Sequence, residues 1–209
     1  MKVLDVVEFE KLVDILLSDV REAEKAHRLL STDFTRRTLV KTLFTYLEGH
    51  LFAFKQLLLS LEYQLAPALP YPRMETKIVL YSEEERAMLE EFSYDLASGG
   101  RARRHTYNPR FGDNVKFAFS MFHKATRLAD DLNFNCEGWT RLLEAQEIRN
   151  RLTHPKLVEF LAITEQEVKI VEIGIKWYES TMERMMAKFE NESIYARHFK
   201  AGPGTEAHG

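Results

Sequence analysis

Arginine, asparagine and histidine stand close together in the stretch EIRNRLTHPK, residues 147–156. Asn150 directly follows Arg149, and four residues separate Arg149 from His154. A guanidinium carries a planar fork of N–H donors that matches a phosphate group, and an imidazole can take up or release a proton near neutral pH. These residue types are therefore suited to proton transfer and to the binding of an anionic group.

The end of a helix offers an alternative explanation for the same residues. Arginine and histidine are common in the last turn of a helix, where they stabilise the C-terminus, and Glu147 and Arg151 have the spacing of an intrahelical ion pair. Arg21 and His27 show a similar spacing within a segment that resembles an ordinary helix. The spacing alone therefore does not establish a site.

The surroundings of Arg149 and His154 favour a functional role. Asn150 and His154 are four residues apart, which predicts that they lie on one face of a helix. Pro155 must end that helix, so Arg149 lies one turn before the end and His154 in the last turn. We expect these side chains to be exposed and able to reach a groove, while the apolar stripe of residues 139–143 anchors the helix.

The elements that must position this motif are helices. Apolar residues recur at three- and four-residue spacing from Phe9 to Val20, after a capping box formed by Asp5 and Glu8. A second helix is predicted from about residue 33 to about residue 63. Because only a short link around Ser31 joins the two, we expect them to pack as an antiparallel pair.

Four further helices follow in the prediction. The third begins at Ser82, where Glu85 completes a capping box, and ends near Gly99-Gly100. The fourth follows Asp113, the fifth ends near Pro155, and the sixth opens with the capping box of Thr164 and Glu167. No alternation of strands and helices is visible. The sequence therefore predicts an all-α bundle of five or six helices.

Composition sets the domain organisation that we expect. The 209 residues and 45% hydrophobic content suit one helical domain, residues 1–198, with a proline-rich connector at about 65–81 and a disordered tail at 199–209. Cys136 is the only cysteine, which excludes an internal disulfide. We expect no signal peptide and no membrane association, and hence a cytoplasmic protein. We also expect no metal and no cofactor, because neither metal-ligand spacing nor a phosphate-binding glycine loop is present.

A basic loop is predicted at about residues 99–112. The net charge of the whole chain is −3, so contacts with nucleic acid would have to come from such a local patch. Arginines neutralise phosphates and a tyrosine can stack on a base, whereas a solvated loop without function is the alternative. The candidate RNA-binding residues are Arg101, Arg103, Arg104, Tyr107 and Arg110.

The sequence RNRLTH, residues 149–154, resembles the signature of the HEPN superfamily, in which arginine, a polar residue, a short spacer and histidine follow one another. The predicted helices from about Phe9 to about Phe189 are similar to that fold, although only six residues are specific. The resemblance implies a metal-independent endoribonuclease, often in toxin–antitoxin or phage-defence systems. It equally implies the alternative of a non-catalytic module that binds RNA, a nucleotide or a partner protein.

The resemblance also assigns roles that the chemistry supports. His154 is the expected base, Arg149 the cation that stabilises the phosphorane, and Asn150 the residue that orients His154 or binds the phosphate. Independently of the resemblance, Glu48 lies beside the apolar stripe of the second helix and is the acidic residue expected to orient Arg149. Since one motif supplies one acid–base group where two are useful, we expect a homodimer with a shared site. An antitoxin of the nucleotidyltransferase type is a further partner that the resemblance suggests.

Overall fold

The structure is a computed structural model that describes residues 6–65, 80–96, 101–107, 109–128 and 132–192. The prediction of an all-α bundle is confirmed, because these residues form six α-helices and one small two-stranded sheet. The elements in chain order are α1 (Val6–Leu29), α2 (Asp33–Leu65), α3 (Glu83–Leu89), β1 (Phe92–Leu96), β2 (Ala102–Thr106), α4 (Phe111–Thr126), α5 (Glu137–Thr153), a 3-10 helix (Val158–Leu161) and α6 (Glu165–Glu192).

The predicted antiparallel pair of long N-terminal helices, α1 and α2, is confirmed. Two predicted capping boxes are also present, because Glu85 N donates to Ser82 Oγ over 3.2 Å and Glu167 N donates to Thr164 Oγ1 over 3.2 Å. The proposed box at Asp5, most of the connector at 65–81 and the tail at 199–209 lie outside the described residues. The prediction of a single domain therefore stays a prediction.

The predicted length of the third helix is wrong. α3 ends at Leu89, and Glu91 adopts a left-handed conformation with φ of 56°, which turns the chain out of the helix. β1 and β2 then pair in antiparallel register, with Phe92 opposite Thr106. Residues 102–106 of the predicted basic loop at 99–112 therefore form a strand, and α4 begins at Phe111, before the predicted Asp113.

A buried lysine explains why the chain leaves the helix at this point. Lys55 of α2 is fully buried, and its Nζ donates to Glu91 Oε1 over 2.5 Å and to Asn114 Oδ1 over 3.0 Å. A buried ammonium requires such partners. The local helix preference of the acidic segment around residues 83–91 is thus overridden by a contact with a distant part of the sequence.

The chain divides into two compact units. The motif unit comprises Val6–Ala53 and Asp131–Glu183, and so contains α1, most of α2, α5 and most of α6. In the hairpin unit the described residues include the end of α2, α3, the hairpin, α4 and the end of α6.

Large apolar side chains form the core of the motif unit. α2, α5 and α6 contribute buried residues at helical spacing, among them Leu43, Leu47, Leu142, Leu152, Val171 and Ile175. Gly174 of α6 allows a close approach of α5, because a Cβ at this position would lie 2.7 Å from the backbone of Leu142. The core therefore fixes α5, which carries the motif, against α6.

Candidate functional site

The last two turns of α5 hold the motif on a firmly anchored helix. Ile148 and Leu152 are buried on the core side of these turns. His154 is the C-cap residue, with φ of −126° and ψ of 60°, and its backbone N–H donates to Asn150 O over 3.0 Å. The predicted helix end before Pro155 is thus confirmed. Beyond it the side chain of His154 is exposed.

Arg149 is held by two side chains. Its Nη2 lies 2.5 Å from Glu48 Oε1, and its Nη1 donates to Asn150 Oδ1 over 3.3 Å. The predicted pairing of Glu48 with Arg149 is therefore present. These contacts use two of the five N–H donors of a guanidinium, so the side chain is oriented while donors remain for a phosphate.

Asn150 faces Arg149, and no side-chain hydrogen bond joins it to His154 within the described part of the chain. The expected orientation of His154 by Asn150 is therefore not seen, and phosphate binding by Asn150 stays a prediction. The imidazole of His154 itself makes no hydrogen bond and no ion pair with any described residue. Its ring nitrogens are consequently available to a substrate.

A pocket of about 300 Å³ lies between α2 and α5 beside Arg149. Its lining consists of Lys41, Thr45, Glu48, Arg149, Leu152 and Thr153. Lys41, Thr45 and Glu48 follow one another at helical spacing along one face of α2. Of these three residues, Glu48 was predicted from the sequence, and Lys41 and Thr45 were not. The hydroxyls of Thr45 and Thr153 donate to the backbone carbonyls of Lys41 and Arg149, which leaves the oxygen lone pairs as acceptors. The pocket therefore offers cations for a phosphate and acceptors for a ribose hydroxyl.

Arg151 does not form the predicted pair with Glu147. Its Nη2 instead donates to Glu167 Oε1 over 2.7 Å and to Ala162 O over 3.2 Å. Glu167 is partly desolvated, but its hydrogen bonds to Thr164 and Arg151 hold the pKa of its carboxyl below the ordinary value. Arg151 thus ties the end of α5 to the start of α6 and has a structural role.

The candidate RNA-binding residues lie in the hairpin unit. Arg103, Arg104 and Tyr107 are exposed, as are Arg101 and Arg110 at either end of the segment. Arg104 is engaged, because its guanidinium lies 3.5 Å from the ring centroid of Phe92 and its Nη2 donates to Glu90 Oε2 over 3.3 Å. The structure thus places Arg103 and Arg104 on β2, where successive side chains point to opposite faces. Of the four arginines, Arg104 is the one that makes these contacts within the described residues.

His50 is a partly buried histidine that packs among aromatic side chains. Its Nδ1 and the hydroxyl of Tyr178 share a hydrogen bond of 3.0 Å, and the rings of Phe9 and Tyr46 lie against it. Burial lowers the pKa of His50 to about 4. This imidazole is therefore neutral at pH 7 and unavailable to a substrate.

Among the residues that the structure describes, no group of three or more histidine, cysteine, aspartate or glutamate side chains is arranged to hold a metal ion. None of the described helices has the length and apolarity needed to cross a membrane. No protein-family model, curated protein or solved structure matches the chain. An assignment of function therefore rests on the chemistry of the residues themselves.

Proposed function

We propose that this protein is a metal-independent endoribonuclease of the HEPN kind that acts as a homodimer. The observation that carries the proposal is the end of α5, where His154 is exposed five residues after an Arg149 that Glu48 and Asn150 hold in place. A buried and fully bonded motif would have argued against it. The resemblance of residues 149–154 to the family signature is the second support.

The proposed reaction is transesterification at an RNA phosphodiester. His154 removes the proton of a ribose 2′-hydroxyl, and the 2′ oxygen forms a bond to phosphorus. Arg149 stabilises the negative charge of the phosphorane. The bond from phosphorus to the 5′ oxygen breaks, and His154 of the partner subunit protonates that oxygen. The products are a 2′,3′-cyclic phosphate and a 5′-hydroxyl.

The pocket beside Arg149 suits the nucleotide at this phosphate. Lys41 adds a second cation next to Arg149, and the hydroxyl oxygens of Thr45 and Thr153 can accept hydrogen bonds from ribose. Because Glu48 balances one of the two cations, the pocket keeps an excess of positive charge in the absence of substrate. This arrangement favours a phosphodiester over a neutral ligand.

The test is RNA cleavage by wild type and His154→Ala in the presence of EDTA. General acid–base groups contribute about 10²–10⁴-fold to rate, so we expect the variant to lose at least about 10²-fold in activity. Circular dichroism should show an unchanged fold, because an exposed C-cap side chain contributes little to the core. Equal cleavage by both proteins would contradict the proposal.

His27→Ala is the matched control for this experiment. His27 belongs to the second arginine–histidine spacing in the chain, and its Nε2 lies 3.5 Å from Glu165 Oε2. We expect this variant to cleave RNA like the wild type. If His27→Ala were as inactive as His154→Ala, the loss would reflect a general disturbance of the fold.

A second candidate is RNA binding without cleavage. It is favoured by the exposed side chains of Arg101 and Arg103, which make no hydrogen bond or ion pair with the described residues. In that case wild type would bind RNA without cutting it, and Arg103→Glu would weaken binding in a salt-dependent manner. Cleavage that depends on His154 would exclude this candidate.

A further inference from the structure

A second pocket of the motif unit lies between α1 and α2 and has a volume of about 480 Å³. Its lining includes Asp19, Glu22, Ala23 and Ala26 of α1 and Lys41 and Thr45 of α2. Pockets that bind small molecules have volumes of about 300–1,000 Å³. This space, here called the α1–α2 pocket, is therefore large enough for a ligand, and the proposed cleavage reaction leaves it unused.

The α1–α2 pocket adjoins the pocket beside Arg149, because Lys41 and Thr45 line both of them. The face of α2 along the two pockets runs from Thr38 to Glu48, which is about 15 Å at a rise of about 1.5 Å per residue. A single phosphate group is much smaller than this length. A ligand whose phosphate lies at Arg149 therefore has room to extend along α2 into the α1–α2 pocket.

The charged side chains differ between the two pockets. Beside Arg149 the one carboxylate, Glu48, is paired with that arginine, whereas the α1–α2 pocket has two carboxylates, Asp19 and Glu22. The side chains of Asp19 and Glu22 are exposed and make no hydrogen bond or ion pair with any residue that the structure describes. Such carboxylates repel a phosphate and accept hydrogen bonds from N–H groups. The α1–α2 pocket therefore disfavours the phosphate backbone and favours a neutral group that carries N–H donors.

Small side chains leave space in the α1–α2 pocket. Ala23 and Ala26 are three residues apart on α1, and each contributes only a methyl group to the lining. The threonines of α2 add further methyl groups. A nucleobase has apolar faces, which pack against methyl groups, and polar edges, which form hydrogen bonds. Methyl groups and unpaired carboxylates in one pocket therefore suit a nucleobase better than a phosphate or a purely apolar ligand.

We propose that the α1–α2 pocket selects the base beside the cleaved bond, with Asp19 and Glu22 accepting hydrogen bonds from an exocyclic amino group of that base. This inference deepens the proposed ribonuclease function and rests on it. Adenine, guanine and cytosine carry such an amino group, whereas uracil does not. Uracil has an acceptor oxygen, O4, where cytosine has the N4 amino group. The carboxylates therefore attract cytosine at this position and repel uracil.

Oligocytidine and oligouridine of equal length test this preference, because their bases differ in the group at position 4. We expect wild type to cleave oligocytidine with a kcat/KM about tenfold above that for oligouridine, as is usual for one base-specific contact. The double variant D19N/E22Q keeps the shape of both side chains. Because an amide offers an N–H donor to uracil as well as an acceptor to cytosine, this variant should lose most of the preference.

Two further variants complete the experiment. The double variant E10Q/D14N removes the same charge from exposed positions of α1 outside the α1–α2 pocket and should keep the preference for cytosine. Ala26→Leu fills part of the pocket without a change of charge and should lower the preference. Equal cleavage of the two oligonucleotides by wild type would overturn the base site. A preference that survives in D19N/E22Q, or that is lost equally in E10Q/D14N, would overturn it as well.

Binding of 2′-O-methyl oligonucleotides, which lack the attacking hydroxyl, separates the base site from the proposed function. We expect fluorescence anisotropy to show the same preference for cytosine in wild type and its loss in D19N/E22Q. Such a result with a protein that cuts no RNA would contradict the ribonuclease and support the base site. Cleavage that depends on His154 without any preference between the oligonucleotides would overturn the base site and leave the ribonuclease standing. Absence of both binding and cleavage would overturn both.

Discussion

The middle of α2 and the end of α5 each carry a histidine, and the two rings have opposite surroundings. His50 is enclosed by Phe9, Tyr46 and Tyr178 and shares a hydrogen bond with the Tyr178 hydroxyl. His154 is exposed, and within the described residues only its backbone is bonded. The same side chain therefore stabilises the core in one place and remains available for chemistry in the other.

α2 shows the same contrast within one turn. His50 is directed into the aromatic core, whereas Glu48, two residues earlier, reaches Arg149 and lines the pocket. Residues two apart on a helix point in clearly different directions. One helix therefore supports the core with one face and the candidate site with another, and substitutions on the two faces should affect different measurements.

The largest effect on RNA cleavage is expected at the end of α5. Arg149→Lys keeps a positive charge but loses the planar fork that contacts Glu48 and that binds a phosphate in the proposed function, so we expect cleavage to fall about 10²–10³-fold. The free energy of unfolding should change little. Cleavage assays and urea denaturation of the same preparations measure both quantities.

Arg151→Lys is the control for that variant, because Arg151 lies in the same helix but ties α5 to Glu167 and Ala162 O. It should lose some stability and retain cleavage. If the two variants lost activity equally, the distinction between a structural and a functional arginine in α5 would be wrong.

A smaller effect, confined to stability, is expected at the buried histidine. Below about pH 6.5 the unfolded chain binds a proton at His50 that the folded chain does not take up until about pH 4. The contribution of His50 to the free energy of unfolding should therefore fall by about 2 kcal/mol from pH 7 to pH 5, at about 1.4 kcal/mol per pKa unit.

His50→Gln isolates this contribution. Burial raises the pKa of Glu179, a group of the same unit that hydrogen-bonds to Tyr46, and this acts in the opposite sense as the pH falls. Such effects cancel when wild type and variant are compared by urea denaturation at pH 7 and pH 5. A pH dependence that is the same in both proteins would show that His50 is not the group responsible. RNA cleavage at pH 7 should be unchanged.

The smallest effect is expected at Glu48, on the face of α2 that supports the candidate site. Glu48→Gln keeps the shape of the side chain and removes the charge that orients Arg149, so we expect cleavage to fall about tenfold, equivalent to about 1.4 kcal/mol. Glu147→Gln removes an exposed carboxylate from α5 and should have no effect. A larger loss from Glu147 than from Glu48 would contradict the role of the ion pair.

Local patterns predicted much of this fold. The periodicity of α1 and α2, the capping boxes at Ser82 and Thr164 and the stop at Pro155 all depend on residues within a few positions of one another. The hairpin was missed because Lys55, which binds Glu91, lies far away in the sequence. The helix-forming residues around position 85 predicted a continuous helix, whereas the chain turns at Glu91, which Lys55 binds.

The candidate site shows the same limit. Glu48 was predicted beside Arg149, but the pairing of Arg151 with Glu167 was not, because it depends on how α6 approaches α5. Lys41 and Thr45 line the pocket because α2 packs beside α5, and the sequence does not show that packing. The sequence predicted candidate residues for a site, and the packing of the helices shows which of these residues are in contact.

The close approach of α5 and α6 at Gly174 has a genetic consequence. A methyl group there would meet the backbone of Leu142 at 2.7 Å and push the two helices apart. Because α5 carries Arg149 while α2 carries Glu48, such a displacement would change the position of Arg149 relative to Glu48 without altering either residue. We therefore expect a random screen for inactive variants to recover substitutions of Gly174 as well as substitutions of the motif residues.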